Sequence, residues 1–172
     1  MITTKSAWIA AALTAATLTT SAEAATYGFS FLNEDGAIAG TVTGLIEIAD
    51  GDGLGLAATS VQVTSAPFGL GYFFFPEEFI SASYTLFQNS FDVVGGAIVD
   101  GVFAATNTTE GLVLNDGITF LNQVGTANPL SGVADIDSSS LAFTPAAVPL
   151  PAGAVLLLTS IAGLGLARRR KT

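Results

Sequence analysis

The sequence predicts an all-β fold, an antiparallel β-sandwich of jelly-roll-like order, over the central part of the chain. Three observations carry this. Gly, Thr, Val, Ile and Phe are abundant. Apolar residues alternate at period two in several stretches, and turn residues recur about every ten residues. The chain has no cysteine, so the fold must rest on apolar burial and hydrogen bonds.

Taken in order, the chain opens with Lys5, an Ala-rich apolar run from Ala7 to Leu18, and Ala22-Glu23-Ala24. That is the layout of a signal-peptide helix over 1–24, with small residues Ala22 and Ala24 marking the cleavage site. Residues 25–147 form one domain, large enough for its own core.

Tyr27 to Leu32 alternates Tyr27, Phe29 and Phe31 on one face and reads as the first strand. Asn33-Glu34-Asp35-Gly36 is a turn. Ile38 to Ile48 reads as a long second strand with Ile38, Val42, Ile46 and Ile48 inward. Gly40 and Gly44 fall on that apolar face and predict a kink, a bulge or close packing against a bulky neighbour such as Phe. Asp50-Gly51-Asp52-Gly53 is the next turn, Leu54 to Ser60 a loose connection, and Val61 to Thr64 a short strand.

Tyr72 to Phe79 is the densest aromatic stretch. Aromatics at strand spacing predict core; the alternative is an exposed platform that stacks on sugar rings. Ile80 to Phe87 alternates well and predicts a strand. Phe91 to Val94, Ala97 to Ala105, Gly111 to Leu114 and Ile118 to Val124 follow, the last two joined by a tight Asn115-Asp116-Gly117 hairpin. Ser131 to Asp137 and Leu141 to Thr144 close the sheets, with Asp135 and Asp137 expected on a solvated strand face.

Charge narrows the chemistry. Residues 25–147 hold thirteen acidic residues and no Lys, Arg or His. Nucleic acid and anionic lipid are excluded as partners on sign alone. A Ser-His-Asp arrangement, a cysteine nucleophile, a Schiff-base lysine and His/Cys zinc sites have no residues to build them. The expectation is therefore no enzyme, with hydrolysis by two carboxylates as the remote alternative. Glu77 and Glu78 are adjacent and would face opposite sides of a strand. Calcium is the more reasonable cofactor, because hard cations take carboxylate oxygens. Asp50 and Asp52 are the candidate ligands, with Asn33, Glu34, Asp35, Asn115 or Asp116 as neighbours. The EF-hand pattern fails, since Leu54 and Val61 stand where it needs ligands. Asp-Gly pairs are also good turn formers, and that reading is preferred.

Residues 148–172 combine three parts in a fixed order. Val148-Pro149-Leu150-Pro151-Ala152 leads into an apolar run to Ala167, and Arg168-Arg169-Arg170-Lys171 follows. Pro151 suits the first position of a helix. A helix over 152–167 spans roughly 24 Å, short of the ~30 Å hydrocarbon core, and snorkelling basic stems recover part of the difference. The basic cluster is expected to act as a membrane stop and stay cytoplasmic.

This tail resembles the PEP-CTERM sorting signal of Gram-negative bacteria in its VPLPA variant, with Leu150 in place of the usual Glu. The resemblance covers about 25 residues. It implies passage through the Sec translocon, removal of the leader by signal peptidase, transient anchoring in the inner membrane, and processing near the proline motif by an exosortase-type enzyme. It also implies a place at the cell surface or in a biofilm matrix rich in extracellular polysaccharide. The expected work is structural or adhesive, and the first alternative is a carbohydrate-binding module that uses calcium or stacked aromatics.

Overall fold

The computed structural model describes residues 24–49 and 51–145. The expected signal-peptide helix and the tail, with its sorting motif and expected membrane helix, lie outside these residues. Among the described residues no helix is long and apolar enough to cross a membrane.

Eleven strands run in chain order: β1 (Ala25–Leu32), β2 (Thr41–Ile48), β3 (Gly53–Leu56), β4 (Ala58–Ser65), β5 (Glu77–Glu78), β6 (Thr85–Val94), β7 (Ala97–Thr106), β8 (Gly111–Leu114), β9 (Thr119–Leu121), β10 (Val133–Asp135) and β11 (Ala142–Pro145). One sheet has the order β11-β1-β2-β4-β5 and the other β10-β9-β8-β7-β6-β3. Every pairing is antiparallel. The all-β sandwich is thus what the chain forms, and its inward side chains make one core.

Period two explains that core. Tyr27, Phe29 and Phe31 of β1 and Val42, Ile46 and Ile48 of β2 are buried from the first sheet. Phe91, Phe103, Leu112 and Leu121 are buried from the second. Phe29 pairs with Gly44 across the β1–β2 ladder. Its ring lies over that glycine, so the close packing expected at Gly44 is present.

The strand order is not that of a jelly roll. Strands β6 to β10 follow one another as a meander. Short connections leave β6 to β9 no reach beyond the next strand, and a longer one over 122–132 brings β10 back beside β9. At the first of them Gly95 and Gly96 both have positive φ, 62° and 76°, as a two-residue hairpin turn requires. The Asp52 carboxylate accepts hydrogen bonds from both of their N–H groups, at 2.7 and 2.8 Å.

Several boundaries differ from expectation. The second strand starts at Thr41, because the backbone N–H of Ile38 donates to Gly132 instead of a sheet partner. Leu54 to Ser60 is not a loose connection but β3 and the start of β4. The chain switches sheets between those strands. Asn89 of β6 holds the corner, accepting from the Ala58 N–H at 2.8 Å and donating to the Ala58 carbonyl at 2.9 Å. Ile80 to Tyr84 is a turn despite its alternation. Phe79 and Tyr84 pack ring to ring at 4.6 Å while the chain crosses from β5 to β6. The strand expected over Ile118–Val124 keeps only Thr119–Leu121, and that over Ser131–Asp137 only Val133–Asp135.

The edge strands β3, β5, β10 and β11 are two to four residues long. Short edges offer little ladder to another chain.

Candidate functional site

The segment joining β4 to β5 carries most of the aromatic stretch. A 3-10 turn at Phe68–Leu70 buries Leu70, whose carbonyl accepts from the Val124 N–H at 2.8 Å. That anchor turns the neighbours outward. Phe68 is 97% exposed, Phe73 81% and Phe74 85%. Tyr72 and Phe75 stack at 6.4 Å, with Phe75 itself partly exposed. Only Phe79 of the stretch is fully buried, so the expectation of core holds there and fails for Phe73 and Phe74. The physical reason is that Tyr72 to Pro76 is loop, and the two-residue period holds only in strands.

Two carboxylates lie at the base of this loop. Glu77 sits in β5. Glu110 closes the turn before β8, where the Asn107 side chain accepts from the N–H groups of Thr109 and Glu110 at 2.9 and 2.8 Å. The buried Tyr84 hydroxyl lies 3.1 Å from an oxygen of each carboxylate. One phenol proton serves one acceptor at a time, so the pair shares a single donor there. Burial pushes the Tyr84 hydroxyl pKa up, and the neighbouring Tyr72, Glu77 and Glu110 push it further. Burial, then Glu110 and Glu77, raise the Tyr72 hydroxyl likewise, and that hydroxyl has no hydrogen-bond partner among the described residues. Both phenols therefore stay protonated at neutral pH. Glu78, as expected, faces the other way. Its carboxylate accepts from Ser60 Oγ, the Val61 N–H, Gln62 Nε2 and the Ile80 N–H at 2.5 to 3.1 Å, and clamps β5 to β4.

The acidic residues gather elsewhere than expected. Asp50 lies outside the described residues, and both oxygens of Asp52 are occupied by the Gly95–Gly96 turn. Glu34 instead joins Asp135 and Asp137, with carboxylate oxygens within 4.8 Å of one another. These three are the described residues that could hold a hard cation such as calcium.

Asp135 is not on a solvated face. It is fully buried at the end of β10, because the Asn33–Gly36 turn folds over that strand. Asn33 Oδ1 accepts from the Ala134 N–H at 3.0 Å, and the Ala134 carbonyl accepts from the N–H groups of Glu34 and Asp35, both at 2.9 Å. Asp135 Oδ2 accepts from the Ser140 N–H and hydroxyl at 2.8 and 2.6 Å, and Oδ1 from the Asp137 N–H at 3.3 Å. Burial alone would raise its pKa. The hydrogen bonds from Ser140 and Asp137 outweigh that and hold it below the usual carboxylate value.

A lowered folded-state value has a definite sign. Its stabilisation is present above the unfolded carboxyl value of 3.8 and is lost as pH falls from there toward the folded value. Asp135→Asn is expected to cost about 1–3 kcal/mol at neutral pH, because it leaves donors poorly satisfied. It should also flatten the acid limb of the stability curve. Urea denaturation of parent and variant from neutral pH to below pH 4 checks both effects.

Two open clefts share Asp100 and Gly101 of β7. One, of about 180 Å³, is lined by Ser90, Asp92, Asp100, Gly101 and Val102. The other, of about 170 Å³, adds Asp116, Leu141 and Phe143 around the same Asp100. Asp92 and Asp100 are opposite in the β6–β7 register, a repulsive pairing. Each turns an oxygen to a backbone amide at 2.7 Å, Asp92 to Gly55 and Asp100 to Gly101.

Sequence reasoning put Asp135 and Asp137 together but missed Glu34 beside them, and it missed the grouping of Glu77, Tyr84 and Glu110. Glu34 and Glu110 come from distant parts of the sequence, and no local motif signals their arrival. Comparison with known proteins finds no matching family model, no matching curated protein and no matching solved structure.

Proposed function

We propose that the protein is exported and adheres to polysaccharide at the cell surface or in the extracellular matrix, with the 67–76 loop as its adhesive face. On this reading residues 1–24 are a signal peptide, taken by the Sec translocon and removed by signal peptidase. Residues 148–172 are a sorting signal whose helix over 152–167 holds the chain in the inner membrane until an exosortase-type enzyme acts near Pro151. The domain between them binds and supports; it carries out no chemistry of its own.

One observation supports the adhesive role above the others: Phe68, Phe73 and Phe74 stand in water on a loop anchored by Leu70. Leaving a large apolar side chain exposed forgoes about 1.5–3 kcal/mol. Clustered exposed aromatics mark a binding face. Aromatic rings pack on the C–H faces of sugars, and that contact needs no cation on the protein. An all-acidic domain would repel nucleic acid and anionic lipid at the same loop.

The test is the intact mass and location of the protein from its producing cells. The expected product begins near Ala25, ends near Pro151 and is found with the extracellular polysaccharide. A full-length chain confined to the inner membrane would contradict the proposal.

A further inference from the structure

The charge around the aromatic loop points to the kind of polysaccharide. We propose that the loop takes a glycan bearing protonated amines, a polymer of amino sugars with free amino groups, and that Glu77 and Glu110 receive an ammonium group. This rests on the adhesive reading above and narrows it.

Three observations converge. Phe73 and Phe74 leave the surface between Tyr72 and Glu77, so their loop springs from the carboxylate pair. The Tyr84 hydroxyl lies 3.1 Å from both Glu77 and Glu110, so the two carboxylates are neighbours, and Glu77 directly follows the loop. Glu77 and Glu110 share the single proton of Tyr84, so the pair is short of donors. An ammonium brings three donors and a positive charge.

The domain cannot supply that charge itself, because residues 25–147 contain no Lys, Arg or His. A partner must bring it. Exposed phenylalanine faces are also attractive to an ammonium, through the negative face of the ring. Sugar rings for Phe68, Phe73 and Phe74, and amines for Glu77 and Glu110, are combined in an amino-sugar chain. A uronate or sulfated chain has the stacking faces but the wrong sign. A second copy of this domain would bring thirteen more carboxylates and is repelled.

The experiment measures binding of the immobilised full chain to three oligosaccharides of equal length: oligoglucosamine, oligo-N-acetylglucosamine and oligoglucuronate. At low salt and slightly acidic pH, oligoglucosamine should bind about tenfold or more tighter than its acetylated form. That advantage should largely vanish at roughly 0.5 M salt, where exposed charges are screened. Glu77→Gln with Glu110→Gln should abolish the advantage and leave acetylated binding in place. Asp116→Asn, which removes a carboxylate outside the pair, should leave it intact. Should the double variant fail to fold, Glu110→Gln alone, on its turn, should cut the advantage.

Equal binding of the amine and acetylated forms at low salt would overturn the inference and leave the adhesive reading standing. So would oligoglucuronate binding as tightly as oligoglucosamine, or an advantage lost equally in Asp116→Asn. Binding of none of the three would end both.

Discussion

Replacing Gly44 by valine is expected to leave no cooperatively folded protein. A Cβ at this position would lie well inside 3.0 Å of Phe29 Cε1 and Cζ and of the Gln62 carbonyl oxygen. The ring could shift only by displacing the core around it, where Phe31 and Ile46 are buried. The carbonyl belongs to β4, paired with β2 beside this very residue, and could move only by opening the ladder. Overpacking of a close-packed interior typically costs 1–3 kcal/mol, and a backbone clash adds to it. Domain stabilities are only about 5–15 kcal/mol, so overpacking together with an opened ladder is expected to take most of a reserve near the lower end of that range. Adding Phe29→Ala should not rescue it, because the clash with Gln62 remains and a cavity is added. Gly117→Ala is the control. It has nothing within 4 Å of its would-be Cβ and should change stability by less than about 0.5 kcal/mol. Urea denaturation followed by circular dichroism distinguishes these outcomes.

The same position shows what could be read in advance. The alternation of Val42, Ile46 and Ile48 assigned β2 to a half-buried sheet, and a glycine on its apolar face implied a bulky neighbour. Gly111 to Leu114 and the Asn115–Gly117 hairpin were equally local, and both stand as expected. Where the reading failed, distant groups decided the outcome. Leu54 to Ser60 lacks strong strand formers, yet it is extended because Asn89 of β6 pins Ala58. Ile80 to Tyr84 alternates like a strand, yet the Phe79–Tyr84 contact bends it between sheets. Asp135 looked like half of a solvated acidic face. Its burial depends on Asn33, which holds the neighbouring Ala134 from 101 residues away. The aromatic loop was legible in composition but not in orientation, since Tyr72 to Pro76 is loop and the two-residue period holds only in strands.

The second large effect concerns that loop. Replacing Phe68, Phe73 and Phe74 together by serine should abolish polysaccharide binding without weakening the fold. Each ring is almost wholly exposed, so its removal costs no core contact, and exposed substitutions usually change stability by less than ~0.5 kcal/mol. Three stacking contacts at about 1 kcal/mol each amount to roughly a hundredfold in affinity. Phe75 and Tyr72 stay in place, because they stack on each other and are less exposed than the three replaced rings. Phe79→Ala should do the reverse. It empties a fully buried site and should cost about 3–5 kcal/mol.

Co-sedimentation of the parent and the triple serine variant with the extracellular polysaccharide of the producing cells, with melting temperatures recorded on the same samples, tests the adhesive face most directly. The parent should sediment with the polymer and the variant should stay in solution, at equal melting temperatures. A variant that sediments as fully as the parent would contradict the account.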